Sequence, residues 1–213
     1  MISITLSIVI LTVLISFSAF NNEKIKEDLL FWPAQIDSQK QYYRFFTNGF
    51  VHGDLIHLAF NMLALYSFGQ ALELSEFPKT TLFGSKAKLF FIGLYVLGLF
   101  FSVLPDYFKY RNNYAYRALG ASGAVSAMIF SFIMLNPTRE LSIFFIRGVP
   151  GYIFGIIFIA LSAFLAKRGG GNIGHRAHIS GAIFGILYTV ILAKIIGNQD
   201  ILVNFWELIK SRY

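Results

Sequence analysis

The chain has 213 residues, of which 56% are hydrophobic and only 14% charged. That balance argues against an ordinary soluble domain, and the absence of cysteine excludes disulfides, thiolate metal sites and a cysteine nucleophile. The formal net charge is +7, but the cations are scattered over polar loops with no basic stripe, which argues against a nucleic-acid partner and for the lipid surface.

Long apolar runs separated by short polar loops predict a polytopic, all-α membrane bundle, and one such bundle accounts for residues 1–213 as a single domain. Residues 2–20 are uncharged and long enough to cross a bilayer once. No basic segment precedes them, which weakens a signal-peptide reading. Residues 21–50 form a long polar connection with Trp32-Pro33 and then Tyr42-Tyr43-Arg44-Phe45-Phe46. Aromatics mixed with a cation suit the depth of the membrane interface, and a connection of this length is often functional.

The second span, residues 51–71, is apolar but contains His52, Asp54, His57 and Asn61. His57 and Asn61 are four apart and share a helix face. Polar groups at this depth are costly and face a bundle interior or a wet cavity; such a pair is either functional or a packing contact. His52 and Asp54, near the mouth, read as structural or interfacial.

A charged loop, 72–88, leads to the third span, 89–104, with Gly93 and Gly98 for close packing. Pro105 to Leu119 reads as a polar loop. The fourth span, 120–135, opens with Gly120-Ala121-Ser122-Gly123 and ends at Asn136-Pro137. Gly123, Ala127 and Ser131 make a small-residue face along it. The fifth span is 149–166, and Lys167-Arg168-Gly169-Gly170-Gly171 reads as a turn. The sixth, 175–196, carries His178 and a second small face at Ala177, Gly181 and Gly185. Two small faces can pack closely, which would bring His178 toward Ser122. Residues 198–213 read as an interfacial tail.

Ser122 has two readings. It is a helix-packing residue, or it is a nucleophile left bare by its glycines at a helix start whose free N–H groups can hold an oxyanion. A serine needs a base, and neutral histidine is the usual one near pH 7. No acidic residue falls within the third to sixth spans so defined, so catalysis here would use a Ser-His dyad.

Three blocks carry a family resemblance: His57-Leu-Ala-Phe-Asn61, Gly120-Ala121-Ser122-Gly123, and Ala177-His178-Ile179-Ser180-Gly181 with Gly185. In this order and on these spans they resemble the rhomboids, intramembrane serine proteases. Tyr43-Arg44 resembles the family's Trp-Arg element in the first loop. The resemblance implies a six-helix bundle with Ser122 as nucleophile, His178 as general base, and an oxyanion hole of His57, Asn61 and the Ser122 amide. It implies transmembrane protein substrates, cut in or near the spanning segment. Water would reach the site from the non-cytoplasmic face, with loop one and the fifth span controlling substrate admission. It implies a cytoplasmic N-terminus, whereas Lys and Arg divide almost evenly between the two sides and do not orient the bundle. The expected setting is a bacterial inner membrane, multi-pass, with no cofactor and no metal.

One position departs from the pattern. Many members carry an aromatic residue four after the nucleophile, stacked on the base; here it is Ser126. Three rival readings stand beside the protease. They are a catalytically silent rhomboid-like binder or chaperone, a proton relay through His57, His175 and His178, and a metal site at His175 and His178.

Overall fold

The structure is a computed structural model and describes residues 2–79, 82–143, 146–168 and 174–212. The glycine run 169–171, expected as a turn, lies outside the described residues.

The first apolar helix, α1 (Ile4–Phe20), starts where Ser3 accepts the amide of Leu6. It is also held by a distant carboxylate. Glu73, itself buried, accepts the amides of Ile4 and Thr5 at 2.7 and 2.8 Å and the Thr5 hydroxyl at 2.7 Å. A carboxylate at a helix start satisfies free N–H groups and complements the helix dipole.

Residues 21–50 fold into short helices, α2 (Glu23–Leu29), α3 (Pro33–Gln39) and α4 (Arg44–Thr47), followed by a 3-10 turn, Asn48–Phe50. Arg44 was expected at the membrane interface. It is instead buried, donating to the carbonyl oxygens of Glu27 and Leu30 at 2.6 and 2.9 Å and to Gln41 at 2.6 Å. Phe45 beside it packs on Phe31, Phe100 and Tyr107. This connection is therefore a folded cap on the bundle.

The helix α5 (Leu55–Ala71) begins four residues later than the sequence reading has it, because Asp54 caps it, accepting the His57 amide at 2.7 Å. The next helix, α6 (Ala87–Tyr110), runs past Pro105, where the sequence reading stops. Proline costs one backbone hydrogen bond, but a helix buttressed by neighbours tolerates it. The extension brings Asp106 into α6, so an acidic residue does stand on a core helix.

At the centre lies α7 (Ser122–Leu135), buried from Gly123 to Met134. A small antiparallel hairpin, β1 (Glu140–Ile143) and β2 (Ile146–Pro150), follows it and was not foreseen in an all-α bundle. Two apolar helices complete the core, α8 (Gly151–Arg168) and α9 (His175–Ile196). Helices α5, α6, α8 and α9 all pack against α7. The tail forms α10 (Ile201–Lys210), which buries Ile201 and exposes Leu202, Val203 and Trp206. Among the described residues three helical stretches are long and apolar enough to cross a membrane: Leu55–Glu76, Gly84–Tyr110 and His175–Ile196; α1, α7 and α8 are shorter apolar helices.

The two small-residue faces meet. Gly181 lies against the carbonyl group of Gly123, and Gly185 lies against that of Ala127. One turn on, the Thr189 hydroxyl donates to Ser131 Oγ at 2.7 Å. These three contacts fix the register of α9 on α7 without bulky side chains between them.

Candidate active site

His57, Ser122 and His178 all stand in the first turns of their helices, so they converge at one end of the bundle. The register of α9 on α7 brings His178 Nε2 to 2.8 Å from Ser122 Oγ. Both, with His57, Asn61, Asp54 and Arg117, line a cavity of about 660 Å³. A serine hydroxyl within hydrogen-bond reach of an imidazole nitrogen is the arrangement a base needs to accept its proton.

The loop before Ser122 is shaped tightly. Gly120 has a φ of +111°, a conformation side-chain-bearing residues rarely adopt, and a Cβ there would stand 2.8 Å from His57 Cε1. The Gly120 amide donates to the carbonyl of Asn48 at 2.9 Å. The neighbouring Ala121 amide donates to His52 Nε2 at 3.4 Å. That nitrogen must then be unprotonated, so the His52 ring is neutral and its Nδ1–H faces Ser16 Oγ at 3.0 Å. Ser16 in turn donates to the carbonyl of Phe50 at 2.8 Å. The expectation that His52 is structural takes this form: it ties α1 to the loop carrying Ser122. Upstream, Phe31 and Ala118 exchange two backbone hydrogen bonds, which lash the cap to the same loop.

His57 lies beside Gly120 and accepts, at a long 3.5 Å, the Gly53 amide on Nδ1. With its proton on Nε2, the nitrogen near Gly120, this ring would present a donor on the Gly120 side. Asn61 donates to the His57 carbonyl at 2.9 Å, which leaves its second amide hydrogen for the cavity it lines.

The acid that the sequence reading did not place on a helix, Asp106, serves elsewhere. It accepts the Tyr116 hydroxyl at 2.7 Å and pairs with Arg176 at 3.2 Å. Burial, then the charge of Asp106, pushes the Tyr116 phenol up, which keeps it a donor. Arg176 is two residues before His178, so this cluster anchors the start of α9 to α6. Among the described residues no carboxylate hydrogen-bonds His178, and no group of three or more His, Asp or Glu could hold a metal ion.

The rhomboid-domain family model matches residues 39–195. The chain belongs to the rhomboid family. Family membership, with the apolar helices, makes it an integral membrane protein built as a helical bundle. Its relatives include RHOMBOID-like protein 12, mitochondrial, of Arabidopsis thaliana, 30% identical over 64% of this chain and 42% of that protein. Rhomboid protein 1, mitochondrial, of Saccharomyces cerevisiae is 30% identical over 71% of this chain and 42% of its own length. Rhomboid protease GlpG of Haemophilus influenzae is 26% identical over 80% of both chains. The chain thus spans about two-fifths of the length of the mitochondrial relatives it matches.

Two features of this rhomboid site escaped the sequence reading. One is the Asp106–Arg176–Tyr116 cluster, whose members are far apart in the chain and carry no motif. The other is Phe158 of α8, whose ring centre lies 5.8 Å from that of His178 at 35°. Ser126, the position that departs from the family pattern, donates its hydroxyl to the Ser122 carbonyl at 2.8 Å and offers the base no ring.

Proposed function

We propose that this chain is an intramembrane serine endopeptidase that cuts transmembrane protein substrates in or near their spanning segment. The observation that carries the reading is the 2.8 Å contact between Ser122 Oγ and His178 Nε2 at a cavity in a rhomboid-family bundle. A neutral His178 with its proton on Nδ1 accepts the Ser122 proton on Nε2 as Oγ attacks the scissile carbonyl carbon. The carbonyl oxygen becomes an oxyanion. The Ser122 amide, the His57 Nε2–H and the Asn61 amide are the donors we assign to it. His178 then returns the proton to the leaving amine, which departs and leaves an acyl-enzyme. Water, deprotonated by the same nitrogen, hydrolyses the acyl group and restores Ser122.

The partners on this reading are single-span membrane proteins and the surrounding bilayer. Relatives with mitochondrial names and one from a bacterium match the chain; we propose a bacterial inner membrane as its setting, tested by fractionation of the source cells. The activity is tested with purified chain in liposomes holding a single-span substrate tagged at both ends. Two product bands from wild type and none from Ser122→Ala would support the reading. Equal cleavage by both would sink the nucleophile assignment. No cleavage by folded wild type across a panel of substrates would favour the binder reading.

A further inference from the structure

A base that works without a carboxylate must be aimed by something else. Ser122 holds one nitrogen of His178, and packing must set the plane of the ring. Two rings meet it. His175, at 5.7 Å and 88°, sits one turn earlier on α9 and moves with it. It cannot fix His178 relative to Ser122. Phe158 comes from a different helix and meets the imidazole at a shallow tilt of 35°.

Phe158 is itself braced. Phe130 of α7 lies 5.7 Å from it and Phe154, one turn back on α8, lies 5.8 Å away. Between these two positions Gly155 lets α8 approach, where a Cβ would stand 3.2 Å from the Phe130 ring. A ring wedged between α7 and α9 is therefore referenced to the helix that carries Ser122. On α7 itself the nearest equivalent, Ser126, is engaged with backbone and has no face to offer.

We propose that Phe158 is the positioning residue for the general base, so that proton transfer from Ser122 requires α8 to be seated against α7 and α9. The proposal rests on the reading of Ser122 and His178 as nucleophile and base. Its physical content is that a flat ring confines the imidazole plane, and that its face attracts the imidazolium formed once the proton has moved. An aliphatic side chain of similar bulk fills the space and supplies neither.

The test uses the purified full chain in detergent, with a single-span fluorogenic substrate and a fluorophosphonate serine probe. Labelling of wild type but not of Ser122→Ala first establishes the underlying reading; without it the proposal falls together with that reading. Phe158→Leu and Phe158→Met remove the ring and keep apolar bulk, Phe158→Tyr keeps the ring, and Ile159→Ala, at a core-packed position of the same helix, is the control. Both ringless variants are expected to lower kcat and labelling rate about tenfold with KM little changed, short of the ~100- to 10,000-fold that a whole general base supplies. Phe158→Tyr is expected to retain most of the rate, and Ile159→Ala to lose little. Wild-type kcat in Phe158→Leu and Phe158→Met would overturn the proposal, and so would a change confined to KM. Equal losses in Ile159→Ala and Phe158→Leu would also overturn it, because general loosening of α8 would then explain both.

Discussion

Gly181 of α9 rests directly on the carbonyl group of Gly123, one residue beyond Ser122, and a methyl group on Gly181 would overlap that backbone. This contact, three residues past His178, sets how far the imidazole stands from the hydroxyl. The obstruction is backbone, which cannot rotate away. Gly181→Ala should therefore push α9 outward, at a cost near the upper end of the ~1–3 kcal/mol typical of overpacking. Cleavage rate and thermal midpoint in detergent should fall together. An unchanged midpoint would mean that the helices are not in this register.

His52 links Ala121, beside the nucleophile, to Ser16 on the first helix. His52→Ala removes both partners' contact and leaves a buried Ala121 amide and a cavity. A loss of roughly 1–3 kcal/mol in stability is expected for an unsatisfied buried polar group. The measurement is thermal unfolding of wild type, His52→Ala and Ser16→Ala. Ser16→Ala should be milder, since the Ala121 contact survives.

Asp106 and Arg176 tie α6 to the first turn of α9. Asp106 is almost fully buried, while Arg176 keeps 34% of its side chain exposed. Asp106→Ala should cost roughly 1–3 kcal/mol, below the ~3–5 kcal/mol of a fully buried pair, because water can still reach the arginine. Labelling of Ser122 should slow in step as the His178 turn loosens. Asp106→Ala with full stability and full labelling would show that the pair is only decorative.

Asn61 bonds within its own helix in the free protein, to the His57 carbonyl. Asn61→Ala should leave the fold nearly unchanged and lower kcat by about 100- to 1,000-fold, the usual cost of one oxyanion donor. Unfolding curves and kcat measured on the same preparation check both halves. A large stability loss with unchanged kcat per folded molecule would make Asn61 a packing residue.

The sequence was most legible where chemistry and packing are local. Ser122 between glycines, His57 and Asn61 one turn apart, and the two small-residue faces could all be read from spacing, because each property lives within a turn or two of helix. Helix ends were less legible. Pro105 reads as a stop, yet neighbours hold α6 past it, and Asp54 delays α5 through a cap that competes with the apolar run. The long cap of residues 21–50 was opaque. Arg44 looks like an interfacial cation, and only the folded chain supplies the carbonyls of Glu27 and Leu30 that make burial favourable. Phe158 was invisible for a different reason: among 24 phenylalanines nothing local marks the one that meets His178.

An activated Ser122 nucleophile reacts covalently with a fluorophosphonate probe. Purified, folded wild type in detergent is compared with Ser122→Ala and His178→Ala. Wild type should label covalently, Ser122→Ala not at all, and His178→Ala at most slowly. Labelling of Ser122→Ala at the wild-type rate, or none of wild type with the probe shown to reach the cavity, would contradict the assignment of Ser122 as nucleophile.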